Sequence, residues 1–228
     1  MRLATLRSSR GFTLIEILFV LAIVAVLAGI LVPLAISSLS DSEKARAQSD
    51  TDAIAGALTA FRKDVKQWPD GVSRDIGYLL VGTTRPGTTN EIDTADCPGD
   101  TFASGFFNSV SCTSLSAGSG GTAATHNAFN HLVVNNPNGN VSPDESSGDY
   151  GNKWRGPYLS KIGRDPFGRA YVVYLQGIDK NNTAPSPPAG ALQGCILSAG
   201  PDNVLNTKAT DTTVSGDDIG FIFCTRCD

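Results

Sequence analysis

Basic residues are scarce in this sequence. Its 228 residues include 18 lysines and arginines against 22 aspartates and glutamates, which gives a formal net charge of −4. Nucleic-acid-binding domains usually carry a basic patch, so this balance argues against DNA or RNA as a partner. A chain of this length can bury a sizeable core, and its hydrophobic content of 41% argues against global disorder.

Histidines are also few. The chain has 2 histidines, His126 and His131, which do not share a helix face as the pair in an HExxH zinc motif would. We expect both to lie at the surface. No GxSxG nucleophile elbow and no Ser–His–Asp set stands out. These absences predict a protein that is not an enzyme.

Acidic residues are missing from the first ten positions, which hold three arginines. Residues 12–36 then form an apolar run in which Thr13 and Glu16 are the polar exceptions. As an α-helix this run would be roughly 37 Å long, enough to cross a bilayer. Basic flanks stay on the cytoplasmic side of a membrane, so the rest of the chain is expected to be exported.

A secretory signal peptide is the main alternative for this run. The apolar region of a signal peptide is usually shorter and ends at a small-residue cleavage site on its far side. Here the small residue, Gly11, precedes the run, and helical sequence follows the run directly. We therefore expect a leader at residues 1–11 and a retained transmembrane helix at residues 12–36.

Beyond the apolar run, hydrophobic residues recur at helical spacing. This pattern predicts an amphipathic continuation of the helix over residues 37–67, which Pro69 and Gly71 bring to an end. Residues 68–228 are expected to form a globular domain with a long, turn-rich loop region at residues 72–150.

Three short strands are predicted in the globular domain, at residues 170–175, 195–198 and 219–224. A long helix followed by a small antiparallel sheet is an α+β fold. Trp68 and Trp154 are expected to pack in the core or at the helix end.

The cysteines all lie far beyond the apolar run, where an exported domain permits disulfides. They are Cys97, Cys112, Cys195, Cys224 and Cys227. An odd number leaves at least one thiol free or paired between chains. The final CxxC does not open a helix in a βαβ unit, and a zinc site would need a second ligand pair. We expect structural disulfides, preferably Cys97–Cys112, and Cys195 with either Cys224 or Cys227.

The sequence Arg-Gly-Phe-Thr-Leu-Ile-Glu at residues 10–16 resembles the processing site of type IV pilins and of the pseudopilins of type II secretion. The short basic leader and the apolar run around it make this motif specific. In that family a membrane aspartyl peptidase cuts after the glycine and methylates the new N-terminus. The resemblance thus implies cleavage between Gly11 and Phe12 and methylation of Phe12.

A second resemblance lies in the C-terminal half, where four ordered blocks look like those of the major pseudopilin. The blocks are GPYL at 156–159, DPFGRAY at 165–171, LSAGPD at 197–202 and DDIG at 217–220. The region 72–150 is longer than in the compact family pattern, and cysteine pairs are not a usual feature of that pattern. The resemblance implies a pilin-like fold.

Glu16 and Pro33 have roles implied by this resemblance. A carboxylate within an apolar helix is costly, roughly 2.5–3.5 kcal/mol at mid-bilayer. Glu16 would attract the Phe12 amine of a neighbouring subunit during assembly, whereas the simpler alternative is that it reaches headgroup water. Pro33 removes a backbone donor, so the helix could loosen there on assembly.

The segment 197–218 is a candidate calcium loop, because the matching loop of the resembled family binds Ca²⁺. Asp202 and Asp218 match the family's carboxylates best, Asp217 is shifted, and Leu197 begins the segment. Calcium takes six to eight oxygen ligands from carboxylates and backbone carbonyls, although the spacing here is not that of an EF-hand. A solvated acidic loop is the alternative.

The predicted function is that of a structural subunit that polymerises into a helical filament of the type II secretion pseudopilus. Expected partners are further copies of the chain, the prepilin peptidase, the inner-membrane assembly platform, minor pilins or pseudopilins, and lipid before assembly. The expected location is the bacterial inner membrane, with the globular domain in the periplasm. The alternatives are a surface type IV or minor pilin and a membrane-anchored binding domain that does not polymerise.

Overall fold

A computed structural model of the protein describes residues 11–69, 77–82, 97–98, 125–137, 150, 153–160, 163–175, 178, 193–208 and 211–225. The elements along them are helix α1 (Leu14–Val65), strand β1 (Tyr78–Val81), helix α2 (Ala128–Leu132), and strands β2 (Tyr171–Tyr174), β3 (Gln193–Ser198) and β4 (Ile219–Thr225). The strands form one antiparallel sheet in the order β1-β2-β3-β4. The predicted α+β fold is confirmed.

The chain divides into two compact units, of which the first ends at Ser42 and the second begins at Glu43. The described part of the first unit is the N-terminal portion of α1, whose residues up to Leu39 are exposed. Its most apolar 18-residue window is 0% buried. By length and composition this helix could cross a membrane, as the apolar run predicted.

Pro33 lies within α1 without ending it. A proline cannot donate a backbone hydrogen bond, so the helix lacks one i to i−4 hydrogen bond there. One turn later the hydroxyls of Ser37 and Ser38 both donate to the carbonyl of Leu34, at 2.9 and 3.0 Å. Hydroxyls that bond back to a helix carbonyl compete with the backbone ladder and often bend helices.

The second unit is built on the C-terminal portion of α1, which buries one face. The buried residues recur three or four positions apart, as on one side of a helix; they are Ala47, Thr51, Ile54, Ala57, Leu58, Phe61 and Val65. They pack in one hydrophobic cluster with Leu79, Tyr171, Val173 and Ile196 of the sheet. This packing orients the sheet against α1 within the second unit.

Two polar contacts reinforce this packing. The Tyr171 hydroxyl donates to Asp50 Oδ2 at 2.7 Å, and the Tyr158 hydroxyl donates to Asp64 Oδ2 at 3.1 Å. Phe61 lies between Asp50 and Asp64 in the sequence. Its ring makes edge-to-face contacts with the rings of Tyr150 and Tyr158, whose centroids are 4.9 and 5.4 Å away. Aromatic pairs of this geometry add to the stabilisation from burial.

The other face of the sheet is also buried, which explains the strand missed by sequence reasoning. Strand β1 has four consecutive buried residues, so its sequence does not alternate. A short continuous apolar run cannot be assigned to strand or helix by periodicity. Strands β2, β3 and β4 confirm the predicted strands to within two residues at each end.

Helix α1 ends close to its predicted boundary. Lys66 has the left-handed conformation, with φ of 65°, and its N–H donates to the carbonyl of Arg62 at 2.9 Å. A left-handed residue after the last turn is a common helix stop. Trp68 follows, buried in the core, and Trp154 packs partly buried against the same cluster, as predicted for both.

The disulfide predictions have different outcomes. Cys97 is disulfide-bonded. Cys112, Cys227 and the side chain of Cys224 lie outside the described residues, so the pairing of Cys97 with Cys112 stays a prediction. The predicted pairing of Cys195 is wrong, because Cys195 is a free, buried thiol. Its place in the sheet explains this: the register sets Cys195 opposite Ile222, and burial raises the pKa of the thiol.

Candidate functional site

The start of α1 carries a capping box formed by Thr13 and Glu16. Glu16 Oε2 accepts a hydrogen bond from the Thr13 backbone N–H at 2.9 Å and another from the Thr13 hydroxyl at 2.8 Å. The Glu16 N–H points back to the Thr13 hydroxyl oxygen at 3.4 Å. Threonine followed three positions later by glutamate is the sequence pattern of this cap. The carboxylate therefore has local partners before any neighbouring subunit is considered.

The predicted cleavage site lies directly before this cap. Gly11 is exposed and outside the helix, and Phe12 has 82% of its surface exposed. The bond between them thus lies in an exposed, non-helical part of the described chain. Such a segment is open to a peptidase without unfolding of the helix.

The apolar side chains that follow are unusual in their exposure. The large hydrophobic residues of α1 from Leu14 to Leu39 are between 45% and 78% exposed. Soluble monomers rarely present a contiguous apolar surface of this extent, and such surfaces mark membrane or protein contacts. Within the second unit, by contrast, the core-facing residues of the same helix are buried.

A second cluster of predicted site residues lies in the loop between β3 and β4. Asn206 Nδ2, which has two hydrogens to donate, lies within hydrogen-bond distance of three oxygens: the carbonyl of Val204 at 2.9 Å, Asp217 Oδ1 at 3.2 Å and Asp202 Oδ2 at 3.4 Å. Asp217 Oδ2 also accepts from the Asp202 N–H at 3.0 Å. The loop thus brings together Asp202 and Asp217, two of the four residues predicted as metal ligands.

Asp218 accepts hydrogen bonds from a different set of donors. Its Oδ2 accepts three hydrogen bonds, from the Asn206 N–H, the Thr207 N–H and the Thr207 hydroxyl, at 2.6–2.9 Å. Its Oδ1 is buried and has no hydrogen-bond partner. Burial raises the pKa of this carboxyl, against the lowering effect of the donors on Oδ2. A buried carboxylate oxygen without a donor is a site where a cation would be stabilised.

Leu197 is the predicted ligand that the structure places elsewhere. It is buried within β3, opposite Val172 on one side and Gly220 on the other, and so lies outside the loop. Among the residues that the structure describes, no three His, Cys, Asp or Glu side chains are grouped so that they could hold a metal ion. A cation in the loop would therefore need carbonyl or amide oxygens in addition to carboxylates.

Two glycines let the loop close on itself. Gly200 and Gly216 have left-handed φ values of 65° and 69°. A Cβ at Gly200 would lie 2.2 Å from the carbonyl oxygen of Asp217, and one at Gly216 would lie 2.6 Å from the Asn206 Cβ. Both glycines therefore sit against residues of the acidic cluster, where a side chain would force those residues apart.

The predicted surface position of His131 is wrong, because its side chain is fully buried. His131 Nδ1 lies 2.7 Å from the Tyr150 hydroxyl, and Nε2 lies 2.7 Å from the Thr125 carbonyl. Only a ring N–H can bond a carbonyl, so Nε2 donates and Nδ1 accepts from Tyr150. Burial lowers the pKa of His131 to about 4. The loop region predicted at 72–150 thus contributes core residues.

The long N-terminal apolar helix and the four-stranded antiparallel sheet are consistent with a pilin-like α+β fold. The family model described as the prokaryotic N-terminal methylation motif matches residues 6–32, a span that includes Gly11, Phe12 and Glu16. This match and the relatives below confirm the resemblance read from the sequence.

Several curated relatives that share one name match part of the chain. The chain is similar to the type II secretion system core protein G of Dickeya chrysanthemi, with 34% identity over 80 residues, or 35% of this chain and 52% of that protein. It is 38% identical to the protein of the same name from Escherichia coli K12 over 77 residues, or 34% of this chain and 52% of that one.

A third relative of the same name, from Klebsiella pneumoniae, is 34% identical over 64 residues, or 28% of this chain and 46% of that one. The chain thus spans about half the length of the curated relatives it matches. No solved structure matches the chain.

Proposed function

We propose that this chain is made as a prepilin, cleaved between Gly11 and Phe12, and polymerised through its apolar helix into the pseudopilus of a type II secretion system. The observation that carries the proposal is the exposed apolar surface from Leu14 to Leu39, most of which lies within the matched methylation motif at residues 6–32. In the membrane, lipid would cover this surface. In a filament, the same surface of other copies would cover it.

Assembly would use a heterologous contact. When one surface of a subunit binds a different surface of the next and the rotation does not close, the product is a helical filament. By resemblance to the pilin family, the Glu16 carboxylate would lie opposite the Phe12 amine of a neighbour. That pairing would exchange the Thr13 hydrogen bonds of Glu16 for a contact with an opposite charge. It would thereby fix the axial register of the subunits.

Processing is the first step to test. The full chain would be expressed together with a prepilin peptidase, purified in detergent and measured by intact-mass spectrometry. The expected mass is that of residues 12–228 with one added methyl group. A Gly11→Val control should keep residues 1–11, because the small residue at the cut is replaced. A wild-type chain that retains its leader would contradict the proposal.

The location of the filament distinguishes the proposal from its closest alternative. A pseudopilin would support secretion from the inner membrane and the periplasm, whereas a surface type IV pilin or minor pilin would appear in long filaments that shear from the cells. The four C-terminal sequence blocks favour the pseudopilin. Recovery of the chain in sheared surface filaments, with secretion unaffected by its deletion, would favour the pilin instead.

We further propose that the β3–β4 loop binds Ca²⁺. Two features support this proposal: the convergence of Asp202, Asp217 and the Val204 carbonyl on one donor, and the unpartnered Oδ1 of Asp218. These oxygens are of the types that Ca²⁺ accepts. When bound, the ion would neutralise the acidic cluster and fasten the loop to the end of the sheet.

Thermal unfolding tests this proposal, because a ligand that binds the folded state alone stabilises it by about 2.7 kcal/mol at 100 times its Kd. The full chain in detergent should melt at a higher temperature in Ca²⁺ than in chelator. Asp202→Asn and Asp217→Asn should each remove most of this difference. Asp52→Asn, on an exposed face of α1, should leave it unchanged. Equal melting temperatures of the wild type with Ca²⁺ and with chelator would exclude the site.

A further inference from the structure

The side chain of Arg169 connects two segments that are far apart in the sequence. Its Nε donates to Asn203 Oδ1 at 3.1 Å, and its Nη1 donates to the carbonyl of Cys97 at 3.2 Å. Asn203 is the neighbour of Asp202 in the loop between β3 and β4, which we call the acidic loop. Cys97 is disulfide-bonded. One half-buried guanidinium therefore bridges the acidic loop and the disulfide-bearing segment.

Asn203 has a backbone conformation that needs support. Its φ of 60° is left-handed, a conformation that asparagine tolerates better than most residues but that still costs energy. Its N–H donates to the carbonyl of Gly200 at 3.2 Å, which closes the turn. By holding the Asn203 side chain, Arg169 fixes the turn that aims the Asp202 carboxylate at Val204 N and Asn206 Nδ2.

The backbone of Arg169 is held in place by Asp165, which also bonds the end of the strand that leads into the same loop. The Arg169 N–H donates to Asp165 Oδ1 at 2.7 Å, and Asp165 Oδ2 accepts from the Ser198 hydroxyl at 2.6 Å. The Ser198 hydroxyl oxygen in turn accepts from the Gly200 N–H at 3.3 Å. The 165–169 turn thus contacts Ser198 at the end of β3, through Asp165, and the loop at Asn203, through the Arg169 side chain.

We infer that Arg169 is the positioning residue of the acidic loop, and that it holds Asn203 so that Asp202 and Asp217 face one another. The functional meaning of this order rests on the proposed cation site, since preordered carboxylates bind a cation more tightly than mobile ones. A lysine cannot substitute fully, because the two acceptors of Arg169 require donors in a planar, forked arrangement.

Cleavage by a lysine-specific endoproteinase at Lys208 reports on the order of the loop without any cation. Lys208 is exposed and lies in the loop after Thr207. In chelator, Arg169→Ala should raise the cleavage rate at Lys208 roughly tenfold, because a hydrogen bond from a charged donor to Asn203 is lost. Cleavage at Lys153, which is exposed outside the loop, should keep its rate. Arg155→Ala serves as the matched arginine control, and Arg169→Lys should give an intermediate rate.

A second pair of variants covers the case in which Arg169→Ala does not fold. Asn203→Gly keeps the left-handed backbone accessible but removes the acceptor, and it should raise cleavage at Lys208 to a similar extent. Asn203→Asp keeps an acceptor for Arg169 and should not. Combined with Arg169→Ala, Asn203→Gly should add little further effect if the two residues act through one hydrogen bond.

Calcium titration of the same variants by calorimetry separates this inference from the cation proposal. Arg169→Ala and Asn203→Gly should weaken Ca²⁺ binding roughly tenfold, in line with the loss of one charge-assisted hydrogen bond. Unchanged cleavage at Lys208 in both variants would overturn the inference, whatever the calcium result. Faster cleavage together with no calcium binding by the wild type would uphold Arg169 as the positioning residue and refute the cation proposal.

Discussion

The Glu16 carboxylate folds back onto Thr13, with both the backbone N–H and the hydroxyl of that residue within 2.9 Å of Oε2. This cap stabilises the first turn of α1 and keeps a costly charge hydrogen-bonded. Two substitutions of Glu16 distinguish the role of the helix cap from the role of the negative charge. Gln retains a side-chain oxygen that can complete the cap, whereas Val removes both the cap and the charge.

We expect Glu16→Gln and Glu16→Val both to abolish filament assembly while the cleaved subunit remains in the membrane. The reason is that the proposed pairing with the Phe12 amine requires a negative charge, which neither variant supplies. Cross-linking of membranes and electron microscopy of filaments measure the outcome. If Glu16→Gln assembles as the wild type does and Glu16→Val does not, capping alone accounts for the role of Glu16. If both variants assemble as the wild type does, Glu16 is not needed for assembly. If the wild type forms no filament, the chain is a membrane anchor.

His131 makes stability depend on pH through its buried ring. Its pKa in the folded protein is about 4, against an ordinary value near 6.5, because burial disfavours the charged form. Between these values the unfolded chain binds a proton that the folded chain does not, so stability falls as pH decreases from about 6.5 to about 4. The loss attributable to this group is roughly 3 kcal/mol.

Chemical denaturation of the wild type and of His131→Gln at several pH values measures this effect. His131→Gln should be less stable at pH 7, because it disturbs the bonds to Tyr150 and Thr125, but its stability should fall less on acidification. Burial also raises the pKa values of Asp165 and Asp218, which acts in the opposite direction near pH 4 in both proteins. His126→Gln, which changes a half-buried ring, is the control. Parallel pH profiles for the wild type and His131→Gln would contradict the assignment.

The sequence predicted the parts of the fold whose pattern is long or alternating. Helix α1 was found to within two residues at its start and at its end, because an apolar run and an amphipathic repeat follow each other without interruption. Strand β1 was missed since its four residues are all buried. His131 was placed at the surface because nothing near it in the sequence reveals Tyr150, its partner 19 positions away.

The acidic loop likewise combines features that the sequence predicted with features that it did not. Acidic residues at 202, 217 and 218 were recognised from their resemblance to a family, but their grouping depends on Asn206, which carries no signal in the sequence. The Cys195 prediction failed for a related reason. Pairing of cysteines depends on strand register, and the irregularity between Gly194 and Cys195 sets that register. Register is a property of the assembled sheet and cannot be read from spacing alone.

Asp165 is a buried carboxylate whose two oxygens are fully used. Oδ1 accepts from the Phe167 and Arg169 N–H groups at 3.1 and 2.7 Å, and Oδ2 accepts from the Ser198 hydroxyl. Asp165→Ala would leave these three donors without their acceptor, at a cost of roughly 2–4 kcal/mol in unfolding free energy. Asp165→Asn retains Oδ1 and should cost less. Denaturant unfolding measures the difference, and an Asp165→Ala variant as stable as the wild type would show that Asp165 is not needed as an acceptor.

Gly216 and Gly56 form a matched pair for testing how tightly the acidic loop is packed. A Cβ at Gly216 would lie 2.6 Å from the Asn206 Cβ, and the residue has a φ of 69°, so Gly216→Ala is both crowded and strained. A Cβ at Gly56 would meet nothing within 4 Å on an exposed face of α1. Gly56→Ala should therefore stabilise the protein by about 1 kcal/mol, as alanine does in a helix. Gly216→Ala should destabilise it by about 1–3 kcal/mol and displace Asn206 from Asp202 and Asp217. If Gly216→Ala were as stable as the wild type and kept the same Ca²⁺ response, the close contact with Asn206 would not be what holds the two carboxylates together.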